Sequence, residues 1–319
     1  MKAIIQQRYG GPDVLGLEEV DRPVPEAGEV LVRVRAASIF AGDVHVLHGR
    51  PRLMRLSTGL RRPKSPVPGM DLAGVVASVG PGVTRLQVGD EVFGWAAGSL
   101  AEYVRAPEDH LERKPARLTF LQAAALSEGG QTALQGLRDH GGVRAGSKVL
   151  VIGASGGVGT FAIQVAKALG ATVTAVCSTA NVAQARALGA DAVVDYTQVD
   201  PLATDRTYDV IFQVAGTAKP WRLRRLLAPG GTLVLNSGDG RLNGIDRILL
   251  GKLAFIGSGR RLGVFVTNEN AADLAVLRDL VDAGSVTPSI ERTFLLDPAA
   301  DAFRHLETGH ARGKVVLAV

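Results

Sequence analysis

A glycine-rich turn at residues 153–159 gives the clearest chemical signal in the chain. It reads Gly-Ala-Ser-Gly-Gly-Val-Gly, follows an apolar run at 148–152, and precedes apolar residues at helical spacing. A second β-branched run follows at 172–176. Glycine lets the backbone turn sharply and approach a phosphate closely, and the helix start offers free N–H groups and the positive end of its dipole. This order of strand, turn, helix and strand predicts a site for a dinucleotide pyrophosphate.

The residues after the second run bear on which dinucleotide binds. Sites that prefer NAD usually have an Asp or Glu there for the ribose 2′-hydroxyl, whereas residues 177–181 read Cys-Ser-Thr-Ala-Asn. Because a carboxylate would repel a 2′-phosphate and hydroxyl or amide donors would accept one, the sequence favours NADPH. No Lys or Arg follows the strand directly, and Arg186 is the nearest cation downstream. NADH therefore remains the alternative cofactor.

The periodicity of the chain predicts the elements that position this turn. Residues 1–120 are rich in short strands and glycine-bearing turns, which is typical of a β-rich, barrel-like unit. Helical patterns at 119–126 and 131–139 lead to the nucleotide strand. Strands are then predicted at 192–194, 209–214, 232–235, 253–256, 290–294 and 314–319, and helices at 271–283 and 299–306. The central alternation predicts a doubly wound parallel sheet inserted into the β-rich unit, with the site in a cleft between two domains.

The composition is that of a globular protein of ordinary charge. The chain has 319 residues, 46% of them hydrophobic, a net charge of +5 and one cysteine, which excludes an internal disulfide. The absence of a signal-peptide core or a long apolar run predicts a cytoplasmic protein with no membrane partner, and the modest charge predicts no nucleic-acid partner. Basic residues concentrate between Arg50 and Lys64. That segment is either a solvated loop or a surface that attracts an anionic substrate or cofactor tail.

Several motifs follow one another in the order typical of one family. They are M-K-A-I at 1–4, G-G-P at 10–12, E-V-L-V-R-V-R-A-A-S at 29–38 before Asp43, P-G-M-D-L-A-G-V-V at 68–76, V-G-D-E-V-F-G at 88–94, G-S-L-A-E-Y-V at 98–104, A-A-A-L-S at 123–127, L-G-A-D-A-V-V-D-Y at 188–196 and G-K-V-V-L at 313–317. In these motifs the chain resembles the medium-chain dehydrogenase/reductase superfamily, in its zinc-independent, quinone-oxidoreductase-like branch.

The resemblance covers essentially the whole chain and implies an α/β fold with two domains. The first is a discontinuous GroES-like, β-rich catalytic domain formed by residues 1–122 and 263–319. The second is an inserted Rossmann domain, a doubly wound parallel sheet, at residues 123–262. The resemblance also implies NAD(P)H-dependent redox chemistry on carbonyls or activated alkenes.

The residue types at the zinc positions of the superfamily predict that no zinc is bound. Zinc-dependent relatives have Cys at the position of Phe40 and His-Glu at that of Met70 and Asp71, and their four-cysteine lobe is shortened here. Zinc needs such ligands, and Cys177 is the single cysteine. Many quinone-reductase relatives have Asn at the position of Phe40, so that polar contact is lost here. Phe40 either shapes an apolar substrate pocket or packs in the core.

The resemblance also implies a set of cofactor-binding residues. The pyrophosphate group would meet Gly153, Ser155, Gly156, Gly157, Val158 and Gly159, the adenosine ribose and its phosphate would meet Ser178, Asn181 and Tyr196, and the nicotinamide side would meet Thr132, Val214, Ala215, Asn236 and Ser237. Tyr196 has the alternative interpretation of an ordinary aromatic residue at a strand end.

No catalytic residue is evident from the sequence, and Asp43 and His48 are the candidates. Asp43 matches a family position that is more often structural, and His48 is either a proton donor or a solvated loop histidine. Cys177 has no visible base partner, so it is not expected to act as a nucleophile. Residues 153–157 also fit the G-x-S-x-G pattern of hydrolases, but they open the longer dinucleotide turn.

Without a metal Lewis acid, a carbonyl must be polarised by hydrogen-bond donors or by the electronics of the substrate. Quinones and α,β-unsaturated ketones suit this chemistry, because hydride addition gives a delocalised phenolate or enolate. We therefore expect a zinc-free, NADPH-dependent reductase of a small-molecule quinone or enone, forming a homodimer through sheet edges. The alternatives are an enoyl-thioester reductase and a non-catalytic NADPH-binding protein with a regulatory or RNA-binding role.

Overall fold

A computed structural model describes residues 1–236, 245–309 and 311–319, with the backbone alone for residues 245–249. The strands are β1 (Lys2–Gln6), β2 (Leu15–Glu19), β3 (Glu29–Ile39), β4 (Asp71–Val79), β5 (Glu91–Trp95), β6 (Tyr103–Pro107), β7 (Leu111–Arg113), β8 (Lys148–Ile152), β9 (Thr172–Cys177), β10 (Ala192–Asp195), β11 (Tyr208–Gln213), β12 (Leu227–Leu235), β13 (Arg261–Val264), β14 (Ile290–Leu295) and β15 (Lys314–Ala318). The helices are α1 (Ala41–His48), α2 (Arg55–Thr58), α3 (Phe120–Gln135), α4 (Gly159–Ala168), α5 (Val182–Ala187), α6 (Pro220–Arg225), α7 (Ile245–Phe255), α8 (Ala271–Asp282) and α9 (Ala299–Glu307).

The chain folds into two compact units that are both discontinuous in sequence. Unit 1 comprises Met1–Glu128, Glu269–Asp282 and Pro288–Val319, and unit 2 comprises Gly129–Asn268 and Ala283–Thr287. The domain limits expected from the sequence, at 122/123 and 262/263, fall inside α3 and β13. The chain passes from unit 1 to unit 2 within α3, after Glu128.

Unit 2 is built on a six-stranded parallel sheet of order β10-β9-β8-β11-β12-β13. Its central strands are rich in Val, Ile and Leu and are buried along almost their whole length, as expected for a parallel sheet covered on both faces. The register places Ile152 opposite Val176 on one side and opposite Gln213 on the other. The carboxyl ends of β8, β9 and β11 therefore lie side by side, where ligands of doubly wound sheets bind.

Unit 1 contains a mostly antiparallel sheet of order β14-β15-β3-β4-β5-β7, with β6 also paired to β3, and a two-stranded sheet of β1 and β2. The long strand β3 pairs with β15, β4 and β6. Its side chains alternate in the middle, where Arg33 and Arg35 are exposed and Val32 and Val34 are buried. This β-rich unit and the parallel sheet confirm the predicted α/β fold class.

Two local expectations from periodicity are wrong. Periodicity predicts a strand at residues 253–256, but residues 253–255 end α7, Ile256 lies in the following turn, and the edge strand is β13 instead. A short apolar run cannot by itself distinguish a helix from a strand, and this one follows a helical stretch that starts at Ile245. The two helical patterns at 119–126 and 131–139 form one helix, α3, which ends in a π-helical turn over Gly136–His140.

Across the described ranges, every helix is too short or too polar to cross a bilayer.

Candidate functional site

The turn between β8 and α4 is packed so tightly that two of its glycines cannot be replaced without a clash. Gly153 has φ +85°, and an added Cβ would lie 2.6 Å from the Cβ of Ala215. A Cβ on Gly159 would lie 2.1 Å from the carbonyl oxygen of Gly153. Both positions therefore need glycine, because the left-handed conformation and the close backbone approach exclude a side chain.

The same turn leaves a row of backbone amides without acceptors. Among the described residues, the N–H groups of Ser155, Gly157, Val158 and Gly159 find no acceptor, whereas Gly156 donates to the Gly153 carbonyl at 3.3 Å. These amides stand at the N-terminus of α4, where the helix dipole also favours negative charge. Unpartnered amides at the positive end of a helix suit a phosphate.

Gly156 leaves open space beside these unpartnered amides. The heavy atom nearest to an added Cβ there is the Gly153 carbonyl oxygen, at 3.7 Å, and its φ is not in the left-handed region. The absence of a side chain at Gly156 therefore opens space beside the free amides rather than serving the fold. This space and the amides fit a pyrophosphate in size and charge. The roles predicted for Gly153, Ser155, Gly156, Gly157, Val158 and Gly159 stay predictions.

The loop after β9 contains a buried polar atom with no partner. Asn181 is 8% exposed, and its Nδ2 donates to the Ser178 hydroxyl at 3.1 Å. Its Oδ1 is buried and makes no hydrogen bond within the described part of the chain. A buried acceptor without a donor is costly. A ribose hydroxyl at this loop would satisfy it, so both predicted residues fit the adenosine end of a dinucleotide.

An acidic residue that sequence reasoning missed lies beside this loop. Asp195 ends β10 opposite Cys177 of β9, and its carboxylate accepts hydrogen bonds from the Thr179 hydroxyl at 2.5 Å and the Thr197 amide at 2.9 Å. The Thr179 hydroxyl holds the pKa of Asp195 below its usual range. The sequence criterion for NAD preference considers only an acid at the end of the second strand. The Asp195 carboxylate instead comes from the third strand of the nucleotide-binding unit.

The two neighbours of Asp195 have simpler environments. Tyr196 is 54% exposed and its amide donates to the Cys177 carbonyl. Burial, with the Asp195 charge, raises the pKa of the Cys177 thiol, so the thiol stays protonated at neutral pH. A protonated thiol is a poor nucleophile, as expected from the sequence.

The predicted nicotinamide-side residues lie at the same sheet edge. The Val214 amide donates to the Ile152 carbonyl, and the Asn236 amide donates to the Gln213 carbonyl, both at 3.0 Å. Ala215 is next to Gly153, as its Cβ distance shows. Ser237 lies outside the described residues.

Two polar side chains of α3 are tied to the segment after β13. The Thr132 hydroxyl lies 2.6 Å from the Thr267 hydroxyl, and the Gln135 amide group exchanges two hydrogen bonds with the backbone of Asn268. Thr132 is fully buried. Its predicted role at the nicotinamide ribose stays a prediction.

Unit 1 contains a buried charge cluster, which we call the Lys314 cluster and which consists of Asp43, Asp71, Glu128 and Lys314. The Lys314 ammonium lies 2.9 Å from Asp71 Oδ2 and 3.9 Å from Glu128 Oε2, and both partners of the shorter pair are at most 2% exposed. Burial alone lowers the pKa of Lys314, but the negative charges of Asp71 and Glu128 outweigh burial and raise it. Lys314 is therefore a buried cation.

Asp71 is the acceptor at the centre of the cluster. Its carboxylate accepts hydrogen bonds from the Ser38 hydroxyl at 3.2 Å and the Glu128 amide at 3.2 Å, besides the Lys314 ammonium. Sequence reasoning treated Lys314 and Asp71 as parts of family motifs and assigned them no role. The sequence features that could have indicated a buried ion pair are a lysine at the start of the apolar strand β15 and an acid at the start of β4.

Asp43 belongs to the same cluster but is held in its neutral form. Burial raises the pKa of Asp43 to about 8, although the Phe40 amide donates to its Oδ2 at 3.0 Å and opposes this shift. The nearby charges of Asp71 and Glu128 raise the pKa further, and Lys314 opposes them. Asp43 therefore caps the start of α1 and also holds a proton near neutral pH.

The other two candidates in unit 1 have clear packing partners. His48 Nε2 lies 2.6 Å from Glu307 Oε1, so this histidine links α1 to α9. The ring of Phe40 lies 5.5 Å from the Lys314 ammonium, and a Cβ on Gly42 would approach that ring to 2.3 Å. Gly42 thus leaves the space in which Phe40 is half-buried.

The residues at the zinc positions of the superfamily do not fit zinc. Phe40 has no ligand atom, Asp71 is bound to Lys314, and Cys177 lies in unit 2. Within the described ranges, no group of three or more His, Cys, Asp or Glu residues is arranged to hold a metal ion. Phe40, Met70 and Asp71 thus provide neither the Cys thiolate nor the His imidazole that zinc prefers.

The chain resembles known proteins along its whole length. Residues 26–116 match the alcohol dehydrogenase GroES-like domain family, and residues 188–317 match a family described as zinc-binding dehydrogenase. The chain is 34% identical over 358 residues to the mitochondrial NAD(P)H oxidoreductase RTN4IP1 of Mus musculus, covering 100% of this chain and 89% of the relative. It is 36% identical over 337 residues to the chloroplastic NADPH-dependent alkenal/one oxidoreductase of Arabidopsis thaliana, covering 99% and 79%.

A solved structure extends the likeness to three dimensions. The quinone oxidoreductase from Coxiella burnetii matches with a TM-score of 0.88 at 33% identity, over 100% of this chain and 99% of that one. Similarity of this extent in sequence and fold, over both units, identifies the chain as an oxidoreductase that belongs to the quinone-oxidoreductase-like branch of the medium-chain dehydrogenase/reductase superfamily.

Proposed function

We propose that this chain is a zinc-free reductase that uses NADPH to reduce a quinone or an α,β-unsaturated carbonyl compound. The observation that supports this most directly is the row of unpartnered amides at the start of α4, beside the space that Gly156 leaves open. When bound, the nicotinamide supplies a hydride. The relatives named for NAD(P)H, NADPH and quinone chemistry are consistent with this cofactor and these acceptors.

The preference for NADPH over NADH rests on the loop after β9. Ser178 and Asn181 offer neutral polar groups there, and β9 itself ends without an acid. The Asp195 carboxylate beside this loop would oppose a 2′-phosphate, and its oxygens accept hydrogen bonds from Thr179 and Thr197. We propose that these hydrogen bonds weaken its repulsion enough for NADPH to bind.

The choice of acceptor rests on the residue types at the zinc positions. Without a Lewis acid, the protein can lower the barrier by positioning the acceptor, excluding water and donating hydrogen bonds. Acceptors whose reduced forms delocalise negative charge need the least help. A plain alcohol oxidation needs a base within reach of the hydroxyl proton. Neither of the two candidate residues is an evident one, since Asp43 is neutral and His48 is bound to Glu307.

Initial rates of NADPH oxidation with four acceptors test the proposal: a water-soluble quinone, a simple enone, a saturated ketone and an enoyl-CoA. We expect turnover with the quinone or the enone, little with the ketone, and no preference for the thioester. Elemental analysis should find no stoichiometric zinc, and a chelator should leave the rate unchanged. Failure to bind pyridine nucleotide, or loss of turnover on chelation with recovery on adding zinc, would contradict the proposal.

We further propose that the protein is a homodimer joined through the edge strand β13. In the described structure this strand pairs with β12 on one side, and Val264 is 38% exposed. An open edge strand is a template for pairing with a second chain. Light scattering coupled to size-exclusion chromatography should give twice the chain mass of 33.3 kDa. A Val264→Pro variant should shift the protein towards monomer, and a wild-type mass of one chain would contradict the dimer.

A further inference from the structure

Residues 44–70 of unit 1 form a strongly basic stretch without a single acid. Its cations are Arg50, Arg52, Arg55, Arg61, Arg62 and Lys64. All of them except Arg55 are exposed, and those five make no ion pair with any residue in the described part of the chain. Surface charges of mixed sign usually neutralise one another, so an uncompensated group of this size has a strong local potential that the net charge of +5 does not reveal.

The same stretch exposes three large apolar side chains. Leu53, Leu56 and Leu60 are 65%, 66% and 68% exposed. A 3-10 turn over Arg52–Met54 runs directly into α2, so Leu53 and Leu56, three residues apart, lie on one face. Leucines exposed by two thirds project from the surface, and they cannot line an enclosed pocket.

The inward side of this segment is fixed by specific contacts. The Tyr9 hydroxyl donates to the Gly59 carbonyl at 2.6 Å and lies 2.9 Å from the Thr58 hydroxyl. Arg55 donates to the Gly49 carbonyl at 2.9 Å, and its guanidinium lies 4.4 Å from the centre of the Tyr9 ring. Tyr9 and Arg55 thus hold the segment against unit 1, while the three leucines and the other five cations are largely exposed.

We propose that this surface, defined by Leu53, Leu56, Leu60 and the five exposed cations, docks the protein on an anionic phospholipid bilayer. Projecting leucines enter the boundary between headgroups and acyl chains, and flanking arginines and lysines pair with lipid phosphates. This combination of charge and apolar side chains is complementary to an anionic membrane surface. It requires no bilayer-spanning helix, and it does not rest on the proposed reductase activity.

Other anionic partners fit these residues less well. Residues 44–70 contain no Phe, Tyr or Trp, so a single-stranded nucleic acid would find no base-stacking side chains. A phosphorylated acyl carrier or thioester would need a concave apolar groove for its acyl chain. The two-thirds exposure of the leucines indicates a projecting surface instead.

Sedimentation of the full-length protein with sucrose-loaded vesicles tests this inference. One vesicle set is pure phosphatidylcholine, and the other contains 30% phosphatidylglycerol, roughly a physiological anionic fraction. We expect binding to the anionic vesicles only, and a weakening of that binding at high salt because screening reduces the attraction. Two variants separate the contributions: Arg52→Gln/Arg61→Gln/Arg62→Gln removes three charges, and Leu53→Ser/Leu56→Ser/Leu60→Ser removes the apolar face.

Each variant should lower the vesicle partition coefficient by about tenfold or more. The matched charge control is Arg206→Gln/Lys219→Gln/Arg225→Gln, and the apolar control is Leu253→Ser/Ile256→Ser, all at exposed positions of unit 2. Both controls should bind as the wild type does. Thermal unfolding checks that every variant folds.

Three outcomes would overturn the proposal. One is no binding of the wild-type protein to the anionic vesicles, and another is equal losses in the test and control variants. The third is unchanged vesicle binding in the charge variant together with a raised KM for an enoyl-CoA, which would assign the segment to substrate binding.

Discussion

The Lys314 cluster and the α4 turn use polar groups in opposite ways. In the cluster, the Lys314 ammonium and the Asp71 carboxylate satisfy each other in a buried site, with further donors from Ser38 and the Glu128 amide. In the turn, the amides of Ser155, Gly157 and Val158 have no acceptor among the described residues. Groups that the fold satisfies stabilise it, whereas groups that it leaves open are available to a ligand. The contrast separates residues whose loss should affect folding from residues whose loss should affect binding.

The largest effect is expected for Lys314→Met, which leaves Asp71 as an uncompensated buried charge. Breaking a buried ion pair on one side costs about 3–5 kcal/mol of unfolding free energy. Urea denaturation at neutral pH measures it. The double variant Asp71→Asn/Lys314→Met should recover part of the loss.

The matched control is Lys167→Met, which breaks the surface pair with Asp191, whose side chains are 36% and 40% exposed. It should cost no more than about 1 kcal/mol. If Lys314→Met costs no more than Lys167→Met, the Lys314 cluster does not stabilise the fold in the way described.

The next effect is expected for Gly156→Ala, which should separate cofactor binding from folding. The nearest atom to the new methyl group is 3.7 Å away, so the melting temperature should not change. The methyl group enters the space beside the free amides and should weaken NADPH binding by about tenfold or more, about 1.4 kcal/mol. Fluorescence titration gives the Kd. Gly16→Ala, at a position with nothing within 4 Å, is the control; unchanged binding in Gly156→Ala would contradict the proposed phosphate site.

A third prediction concerns the proton on Asp43. Its folded pKa of about 8 lies above the ordinary value of 3.8, so folding favours the protonated carboxyl. The protonated carboxyl contributes fully to the unfolding free energy below pH 3.8. This contribution declines as the pH rises and is lost by a pH of about 8. Asp43→Asn keeps the cap acceptor and cannot ionise.

The unfolding free energy of the wild type, relative to Asp43→Asn, should therefore fall by up to about 1.4 kcal/mol for each pH unit across this window. Denaturation curves of both proteins between pH 5 and 8 measure the difference. A wild-type free energy that stays constant relative to that of Asp43→Asn, or that rises with pH, would show that Asp43 is ionised in the folded protein.

The smallest effect is expected for Asn181→Lys. A cation at this loop should attract a 2′-phosphate without changing the contacts of the pyrophosphate, so NADPH should gain about fivefold in affinity relative to NADH. Asp195→Asn, which removes the opposing charge, should also raise the affinity for NADPH relative to NADH. Titration with each cofactor gives the two Kd values and their ratio. An unchanged ratio in both variants would mean that the 2′-phosphate lies elsewhere.

The sequence predicted the fold class and the glycine-rich turn between β8 and α4 because both depend on local patterns. Glycine spacing and apolar runs determine the β8–α4 unit directly, and the family motifs extend over both units. The errors arose where tertiary context decides: residues 253–256 have the composition of a strand but form the end of α7 and the turn after it.

The Lys314 cluster could not be predicted from local patterns, because Asp43, Asp71, Glu128 and Lys314 are far apart in sequence and meet only in the folded unit. The position of Asp195 beside the loop after β9 could not be predicted for a similar reason, since Asp195 belongs to the neighbouring strand β10. His48 could be identified as a titratable residue, but its partner Glu307 is 259 positions away. Patterns within a few residues are readable in one sequence, whereas pairings across the chain are not.

The route of the chain has a practical consequence. It changes unit after Glu128, Asn268, Asp282 and Thr287, so each unit is assembled from separate stretches of sequence. A protease that cuts one peptide bond cannot release either unit as a continuous fragment. Attempts to express one half alone, or to exchange it for that of a relative, must therefore rejoin several ends rather than divide the gene at a single point.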